Sequence, residues 1–275
     1  MEAIQQVEKK VLEKICFFTN KIINQEFGKL DLVELVLESQ TISQLIIDNR
    51  HDLVIYYPKK NLCGGEIFCY EVFMTGILGA KLGYTKQGLS KLILASLLKD
   101  ISCYLLGWAK KEWLSHPKES CDFLEEIYFV MPEDVLQGIL HHHEKVDGTG
   151  FPNRLKSDEI SEYAKIIQVI EMYFSFHSKT LEIPNITGSL EQNLAIVFKN
   201  YDRDIMKCFL KHTSFFNIDD NLYLTDYTLV SVVYNSYGNV FQPIVQVIKD
   251  KNKQFKKGKL LDLRYTNTLH ILDMC

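Results

Sequence analysis

The run HHHEKVDGTGFP at residues 141–152 places three consecutive histidines directly before a glycine-proline turn. A helical pattern leads into it from Pro132, and proline is favoured at the first position of a helix. Neighbouring side chains on a helix diverge by about 100°, so two adjacent histidines can face one metal ion only where a helix ends. Because these histidines lie at such an end, the pattern indicates a metal site.

Three positions outside this run also carry side chains that suit metal binding. His116 precedes Pro117, which marks a second helix start and places the histidine near the N-cap. Asp100 lies within an apolar helix predicted over residues 92–106, and Glu171 lies within another largely apolar helix. A carboxylate in such surroundings is costly unless it is paired or binds a metal. Alone, each residue favours an ordinary structural role; together they favour a metal site.

Composition narrows the class of protein. The 275 residues suffice for one large domain or two modest ones, and 47% of them are hydrophobic, as in ordinary globular proteins. The net charge of -4 provides no basic field for a nucleic acid polymer or an anionic membrane. Seven cysteines without paired spacing indicate the reducing cytoplasm. We recognise no signal peptide and no apolar stretch long enough to span a membrane.

Helical periodicity dominates the chain up to about residue 201. Amphipathic patterns over residues 3–27 and 31–48 predict two N-terminal helices, and a loop rich in proline and glycine follows at residues 58–65. Further helices are predicted from residue 66 onward. The sequence therefore predicts a mainly α protein.

The last part of the chain has a different pattern. Short segments rich in β-branched and aromatic residues predict strands near residues 228–234, 243–248, 260–263 and 269–272. We predict three regions: N-terminal helices at 1–62, a helical domain at 63–215 and a small antiparallel β meander at 216–275.

The histidine run resembles a known family signature. Residues 142–152, HHEKVDGTGFP, are similar to the HD-GYP motif HHExxDGxGYP, with phenylalanine in place of the tyrosine. The stretch 95–101 resembles the segment that carries the family's HD pair, His116 matches the histidine of its HP step, and Glu171 falls where its last metal-binding aspartate is expected. The remaining residues that carry the signature are Asp147, Gly148, Gly150, Phe151 and Pro152.

This resemblance, over about residues 66–200, implies an HD-superfamily helical bundle with leading helices and a small β extension. HD-GYP proteins are bacterial phosphohydrolases that cleave cyclic di-GMP with two or three metal ions, commonly iron or manganese. One half of the family's metal site is complete in this chain, which implies one divalent transition metal ion (Fe, Mn or Zn). Its implied ligands are Asp100, His116, His142 and His143.

The other half of the family's metal site is largely missing. The family's first histidine should fall near Ile67 or Phe68, and Lys99 replaces the histidine of the HD pair. Only Asp100 and Glu171 remain as implied ligands and as residual catalytic groups. We predict that the ammonium group of Lys99 replaces the absent ion, because it would neutralise two carboxylates that otherwise repel each other.

Residues expected to contact the substrate phosphate are also replaced. Cys103 stands where the family has a lysine, and Thr180 and Ile183 stand where basic residues are usual. A two-metal reaction needs both ions to hold the attacking and leaving oxygens. The resemblance therefore implies absent or strongly reduced activity.

Three functions remain open from the sequence. The first is a catalytically impaired HD-GYP protein that senses a nucleotide such as cyclic di-GMP, or binds a protein partner through its 150–152 turn or its N-terminal helices. The second is an active phosphohydrolase that uses one metal ion. The third is a helical scaffold without any ligand. Metal content separates the third function from the others, and turnover separates the first from the second.

Overall fold

Helices form most of the molecule, which confirms the predicted mainly α class. The computed structural model describes residues 2–58, 62–106, 114–127, 131–184, 186, 188–235, 238–250, 254, 258–266 and 268–274. Residues 59–61 of the predicted loop 58–65 lie outside the described residues. Within the described ranges the α-helices are α1 Glu2–Ile23, α2 Lys29–Asp48, α3 Gly64–Lys81, α4 Lys86–Leu98, α5 Ile101–Leu106, α6 His116–Ile127, α7 Glu133–Leu140, α8 Glu162–His177, α9 Leu190–Val197 and α10 Arg203–His212.

The chain forms two compact units. The first comprises Met1–Leu53 and Lys60–Phe174, and the second comprises Val54–Lys59 and Ser175–Cys275. Helices α1 and α2 belong to the first unit because they pack directly on α3 and α4. The division predicted after residues 62 and 215 stays a prediction about domain organisation.

The first unit is built around α3 and α4, which pack on each other. Both helices are apolar on almost every face, and most of their side chains are buried. Helix α1 covers α3 with an apolar stripe at helical spacing, and each fully buried aliphatic side chain contributes about 1.5–3 kcal/mol relative to exposure. The residues of that stripe are Val11, Ile15, Phe18 and Ile22.

The single helix predicted over residues 92–106 is wrong. Helix α4 ends at Leu98, and α5 begins at Ile101. Lys99 and Asp100 form the turn between them, and the Asp100 carbonyl accepts a hydrogen bond from the Cys103 amide at 3.0 Å. The turn frees the side chains of Lys99 and Asp100 from the helix surface, so that both point into the interior of the unit.

The second unit contains the five-stranded antiparallel sheet, in the order β4-β3-β2-β1-β5. Strands β1 to β4 form a meander, and β5 returns to pair with β1. The four predicted strands correspond to β2, β3, β4 and β5. Strand β1 was not predicted. The strands are β1 Asn221–Leu224, β2 Leu229–Tyr234, β3 Ile244–Lys249, β4 Leu260–Asp262 and β5 Ile271–Met274.

Among the described residues, no helix has both the length and the apolar character of a membrane span.

Candidate metal centre

Four side chains from three segments of the first unit lie close together. Asp100 comes from the turn after α4, His116 is the first residue of α6, and two histidines follow the end of α7. One ligand atom from each residue lies within 4.8 Å of the others. We call this set of Asp100, His116, His142 and His143 the candidate metal centre.

One carboxylate oxygen makes most of the direct contacts within the candidate metal centre. Asp100 Oδ1 lies 3.2 Å from His116 Nε2 and 3.4 Å from His142 Nε2. The two Nε2 atoms are themselves 3.2 Å apart. Both imidazoles are about 1% exposed, so bulk water does not separate these atoms.

Hydrogen bonds between α5 and α6 hold His116 in place. The Ser102 hydroxyl donates to the His116 carbonyl at 3.0 Å, and the Ser102 amide donates to the Ser120 hydroxyl at 3.2 Å. These buried bonds hold the first turn of α6 against α5, and therefore fix the position of the His116 backbone.

The hydrogen bond of His142 determines its tautomer. His142 Nδ1 lies 2.6 Å from the Ile139 carbonyl oxygen, which can only accept, so Nδ1 must donate. In a neutral imidazole, Nε2 is then unprotonated and directs its lone pair at Asp100 and His116. A single N–H on His116 cannot satisfy both of its neighbours. A cation between Asp100 Oδ1 and the two Nε2 atoms would satisfy all three. A hydrogen bond from Nδ1 to a backbone carbonyl, as His142 makes, is typical of metal-binding histidines.

The three consecutive histidines do not share one role. His141 is the residue directly after α7, and its Nδ1 accepts a hydrogen bond from the Ser161 amide at 3.2 Å. Its ring is therefore engaged outside the candidate metal centre. Burial, together with the neighbouring His142, lowers the pKa of His143 to about 2. The His143 imidazole is consequently neutral near pH 7 and keeps a lone pair for a metal ion.

The turn at residues 147–155, which carries most of the family signature and which we call the signature turn, packs against the candidate metal centre. The Phe151 ring stacks on the His143 ring with centroids 4.7 Å apart. Asp147 Oδ1 accepts from the Thr149 amide at 2.9 Å, which closes the exposed part of the turn. Gly148 has φ 81°, a left-handed conformation that glycine adopts without strain, and the Phe151-Pro152 peptide is cis.

Lys99 lies beside the candidate metal centre, at the end of Asp100 that faces away from the histidines. Its Nζ is 2.5 Å from Asp100 Oδ2 and 2.6 Å from Glu171 Oε1. The ammonium also lies 5.5 Å from the centre of the Phe68 ring, within the range of a cation–π interaction. We call Lys99, Asp100, Glu171, Phe68 and Glu71 the Lys99 cluster.

Charges in the Lys99 cluster stabilise one another. Burial disfavours charge on Lys99, but the carboxylates of Asp100, Glu171 and Glu71 outweigh it and raise the pKa of Lys99 well above its usual range. Burial likewise opposes ionisation of Asp100, yet Lys99 and the two nearest imidazoles lower the pKa of Asp100 well below its usual range. Asp100 is therefore a carboxylate and Lys99 an ammonium ion at neutral pH.

Sequence reasoning missed Glu71 and Phe68 as parts of this cluster. Burial raises the pKa of Glu71 to about 8, with Lys99 opposing the shift and the other two carboxylates adding to it. Phe68 occupies one of the positions where the family's first histidine is expected. Glu71 is an acidic residue in the otherwise apolar part of α3, and its raised pKa leaves it largely protonated near pH 7. An acidic residue among apolar neighbours is the signal that had indicated Asp100 and Glu171.

Position 103, where the family has a lysine that contacts the substrate phosphate, carries an uncharged side chain. The Cys103 thiol is buried, and burial raises its pKa to about 11, so it carries no charge at neutral pH. Thr180 and Ile183 lie in the second unit.

The donor set fits a divalent transition metal. Three imidazoles and one carboxylate suit zinc, iron or manganese. The hydrogen bond from His142 Nδ1 to the Ile139 carbonyl orients the imidazole, as is usual for metal-binding histidines. Together with the helical first unit, these residues define a helical domain whose histidine and aspartate cluster is compatible with a divalent metal ion.

Comparison with protein families agrees with this class. Residues 76–202 match the family model of the HD domain, a segment that contains all four residues of the candidate metal centre. This match suggests a metal-dependent phosphohydrolase fold. Neither the comparison with curated proteins nor that with solved structures gives a match.

Proposed function

We propose that this chain is a catalytically impaired HD-GYP-type protein of the bacterial cytoplasm, which binds one divalent metal ion and acts in cyclic-dinucleotide signalling or protein interaction. The observation that carries the proposal is the unequal surroundings of Asp100. One carboxylate oxygen faces two imidazoles, and the other contacts the Lys99 ammonium at 2.5 Å.

The Lys99 cluster supports a single metal ion. The ammonium already bridges Asp100 and Glu171 at hydrogen-bonding distances. A second divalent ion at those carboxylates would lie within a few ångströms of a fixed positive charge, where repulsion is strong because the surroundings are buried. Glu171 is therefore proposed as a partner of Lys99, with at most a residual part in metal binding or catalysis.

The same cluster supports impaired catalysis. When bound, a divalent ion would polarise a phosphoryl oxygen and lower the pKa of a coordinated water. Asp100 is already engaged with Lys99 and two imidazoles, and Glu171 is engaged with Lys99. Neither carboxylate is then available to accept a proton as a general base. The neutral Cys103 thiol cannot attract a substrate phosphate as a lysine would.

Exposed apolar residues support a role in protein interaction. Leu30, Val33 and Leu37 lie along one side of α2 and are 85%, 41% and 64% exposed, respectively. A surface stripe of this kind is typical of regions that bind a partner. We therefore propose the N-terminal helices as the first candidate for the partner-binding surface, and the 150–152 turn as the second.

Elemental analysis tests the proposed stoichiometry. Protein purified without added metal, then dialysed against iron, manganese or zinc and freed of excess ion, should hold close to one ion per chain. The physical reason is that Lys99 occupies the space beside Asp100 and Glu171. Two ions per chain, or none under any loading condition, would contradict the proposal.

Hydrolysis of cyclic di-GMP should be absent or very slow, because neither buried carboxylate is available and no lysine stands at position 103. The measurement is product formation by the metal-loaded protein at several metal occupancies, with the metal-free protein as control. Turnover that rises in proportion to metal occupancy would favour the active phosphohydrolase instead. Equilibrium dialysis with labelled cyclic di-GMP then asks whether the nucleotide binds without being cleaved.

A further inference from the structure

Glu144 is a buried carboxylate that directly follows the two adjacent histidines of the candidate metal centre. It is 1% exposed. Its two oxygens accept hydrogen bonds from two backbone amides of the signature turn, Asn153 at 2.6 Å and Leu155 at 2.9 Å. A buried carboxylate is costly unless such donors satisfy it, so these bonds tie the far end of the turn to the end of α7.

The signature turn also packs closely against the backbone of residues 143–145, which precede it. The Phe151 amide donates to the His143 carbonyl at 3.2 Å. A Cβ added to Gly150 would lie 2.4 Å from both Glu144 Cα and the Lys145 amide nitrogen, which is too close for any side chain. The turn is therefore held at three points, and its position relative to His143 is fixed.

This geometry places Phe151 over His143. The two rings are 4.7 Å apart between centroids and inclined by 28°, so they are stacked. The Phe151 ring also meets the His116 ring edge-on, with centroids 6.4 Å apart. An imidazole ligand must hold its ring at a particular angle for its lone pair to point at the ion, and a stacked aromatic ring restricts rotation of the imidazole.

We propose that Glu144 is a positioning residue for the candidate metal centre: it fixes the signature turn, and the turn presses Phe151 onto His143 so that the imidazole is oriented before metal binds. This inference rests on the proposed metal-binding function. Glu144 contacts the turn through its oxygens, and it acts on the metal through Phe151 and His143.

A carboxylate suits this role better than an amide. Two backbone N–H groups require two acceptors, and the carboxylate of Glu144 supplies both. A glutamine supplies one acceptor and directs its NH2 group at the second N–H, so one buried donor loses its partner. Glu144→Gln therefore loosens the turn while it preserves the size of the side chain.

The test measures Co²⁺ affinity and the environment of His143 in four variants. Glu144→Gln and Phe151→Leu should each weaken Co²⁺ binding about 10- to 100-fold, the usual cost of losing support behind a metal ligand. Phe151→Tyr keeps the stacked ring and should stay within about threefold of the parent. Glu159→Gln is the matched control, because Glu159 accepts from the Lys156 amide of the same segment but is exposed.

The second readout needs no metal. In the NMR spectrum of the metal-free protein, the His143 ring protons are shielded by Phe151 and should move downfield in Phe151→Leu and in Glu144→Gln, but not in Glu159→Gln. If Glu144→Gln fails to fold, Phe151→Leu still tests the inference, because it leaves both hydrogen bonds of Glu144 intact.

The outcomes separate this inference from the proposed function. Parent protein that binds no Co²⁺ would overturn the proposed function and this inference with it. Parent protein that binds Co²⁺ normally, while Glu144→Gln and Phe151→Leu bind it equally well, would overturn only the positioning role. Weakened binding in those two variants, with both controls unchanged, supports the role.

Discussion

Lys99→Met should destabilise the metal-free protein by about 3–5 kcal/mol, the usual cost of removing one partner from a buried ion pair. Methionine keeps most of the side-chain volume and removes the charge. Asp100 and Glu171 would then face each other, with Glu71 nearby, in buried surroundings that have lost their only ammonium within hydrogen-bonding distance among the described residues. The measurement is the free energy of unfolding in denaturant, in the presence of a chelator.

Lys91→Met provides the matched control for this experiment. Lys91 lies on the same helix, α4, and pairs with Asp134 at 2.7 Å, but its side chain is 28% exposed. Exposed pairs of this kind contribute only about 0–1 kcal/mol. Adding Glu171→Gln to Lys99→Met should recover part of the loss, because it removes one of the repelling charges. A Lys99→Met protein as stable as Lys91→Met would contradict the proposed role of Lys99.

His142→Ala should weaken metal binding by more than about 100-fold, since removing a direct ligand should exceed the 10- to 100-fold cost of removing a residue that only supports one. Its Nε2 is central to the candidate metal centre, 3.2 Å from His116 Nε2 and 3.4 Å from Asp100 Oδ1. Isothermal titration of chelator-treated protein with Zn²⁺ or Co²⁺ measures the change.

The neighbouring histidine supplies the control for His142→Ala. His141→Ala removes a largely buried imidazole of the same type one residue earlier, but that ring accepts a hydrogen bond from the Ser161 amide and lies outside the candidate metal centre. Its metal affinity should stay close to that of the parent even if its stability falls. Equal losses of metal in both variants would indicate general disruption of the fold rather than removal of a ligand.

The candidate metal centre could be predicted from the sequence because its residues follow local signals. A histidine before a proline, adjacent histidines at a helix end and a carboxylate among apolar residues can each be read from a few neighbouring positions. The structure brings Asp100, His116, His142 and His143 together. Which of the three consecutive histidines would turn away was indicated only by the family signature, since spacing alone treats His141 and His143 alike.

The Lys99 cluster was predicted only in part, because the local spacing of apolar residues does not indicate which distant helices will contact each other. Asp100 and Glu171 were indicated by their apolar neighbours in the sequence, and the role of Lys99 came from the family pattern. Glu71 lies on α3 and reaches the cluster only because α3 packs on α4. The end of α4 was missed for a similar reason. The sequence is apolar on both sides of the pair Lys99 and Asp100, and the side chains that Asp100 contacts, His116 and His142, lie far along the chain.

Strand β1 was missed because its pattern is short. It has four residues and begins with Asn221, and only Leu222 and Leu224 are buried. Its pairing with both β2 and β5 stabilises it, and β5 lies almost fifty residues further along the chain. The longer strands β2 and β3 alternate clearly and were predicted close to their observed bounds.

The ammonium group of Lys99 is a counter-ion that cannot diffuse away. Stabilisation by a dissociable metal ion grows with the free concentration of that ion and vanishes when a chelator removes it. The contacts of Lys99 with Asp100 and Glu171 are made by an atom of the chain itself, so their strength does not depend on how much iron, manganese or zinc surrounds the protein. One side of Asp100 is thereby independent of the metal supply, while the other side, facing His116 and His142, is the side that the proposed metal ion would contact.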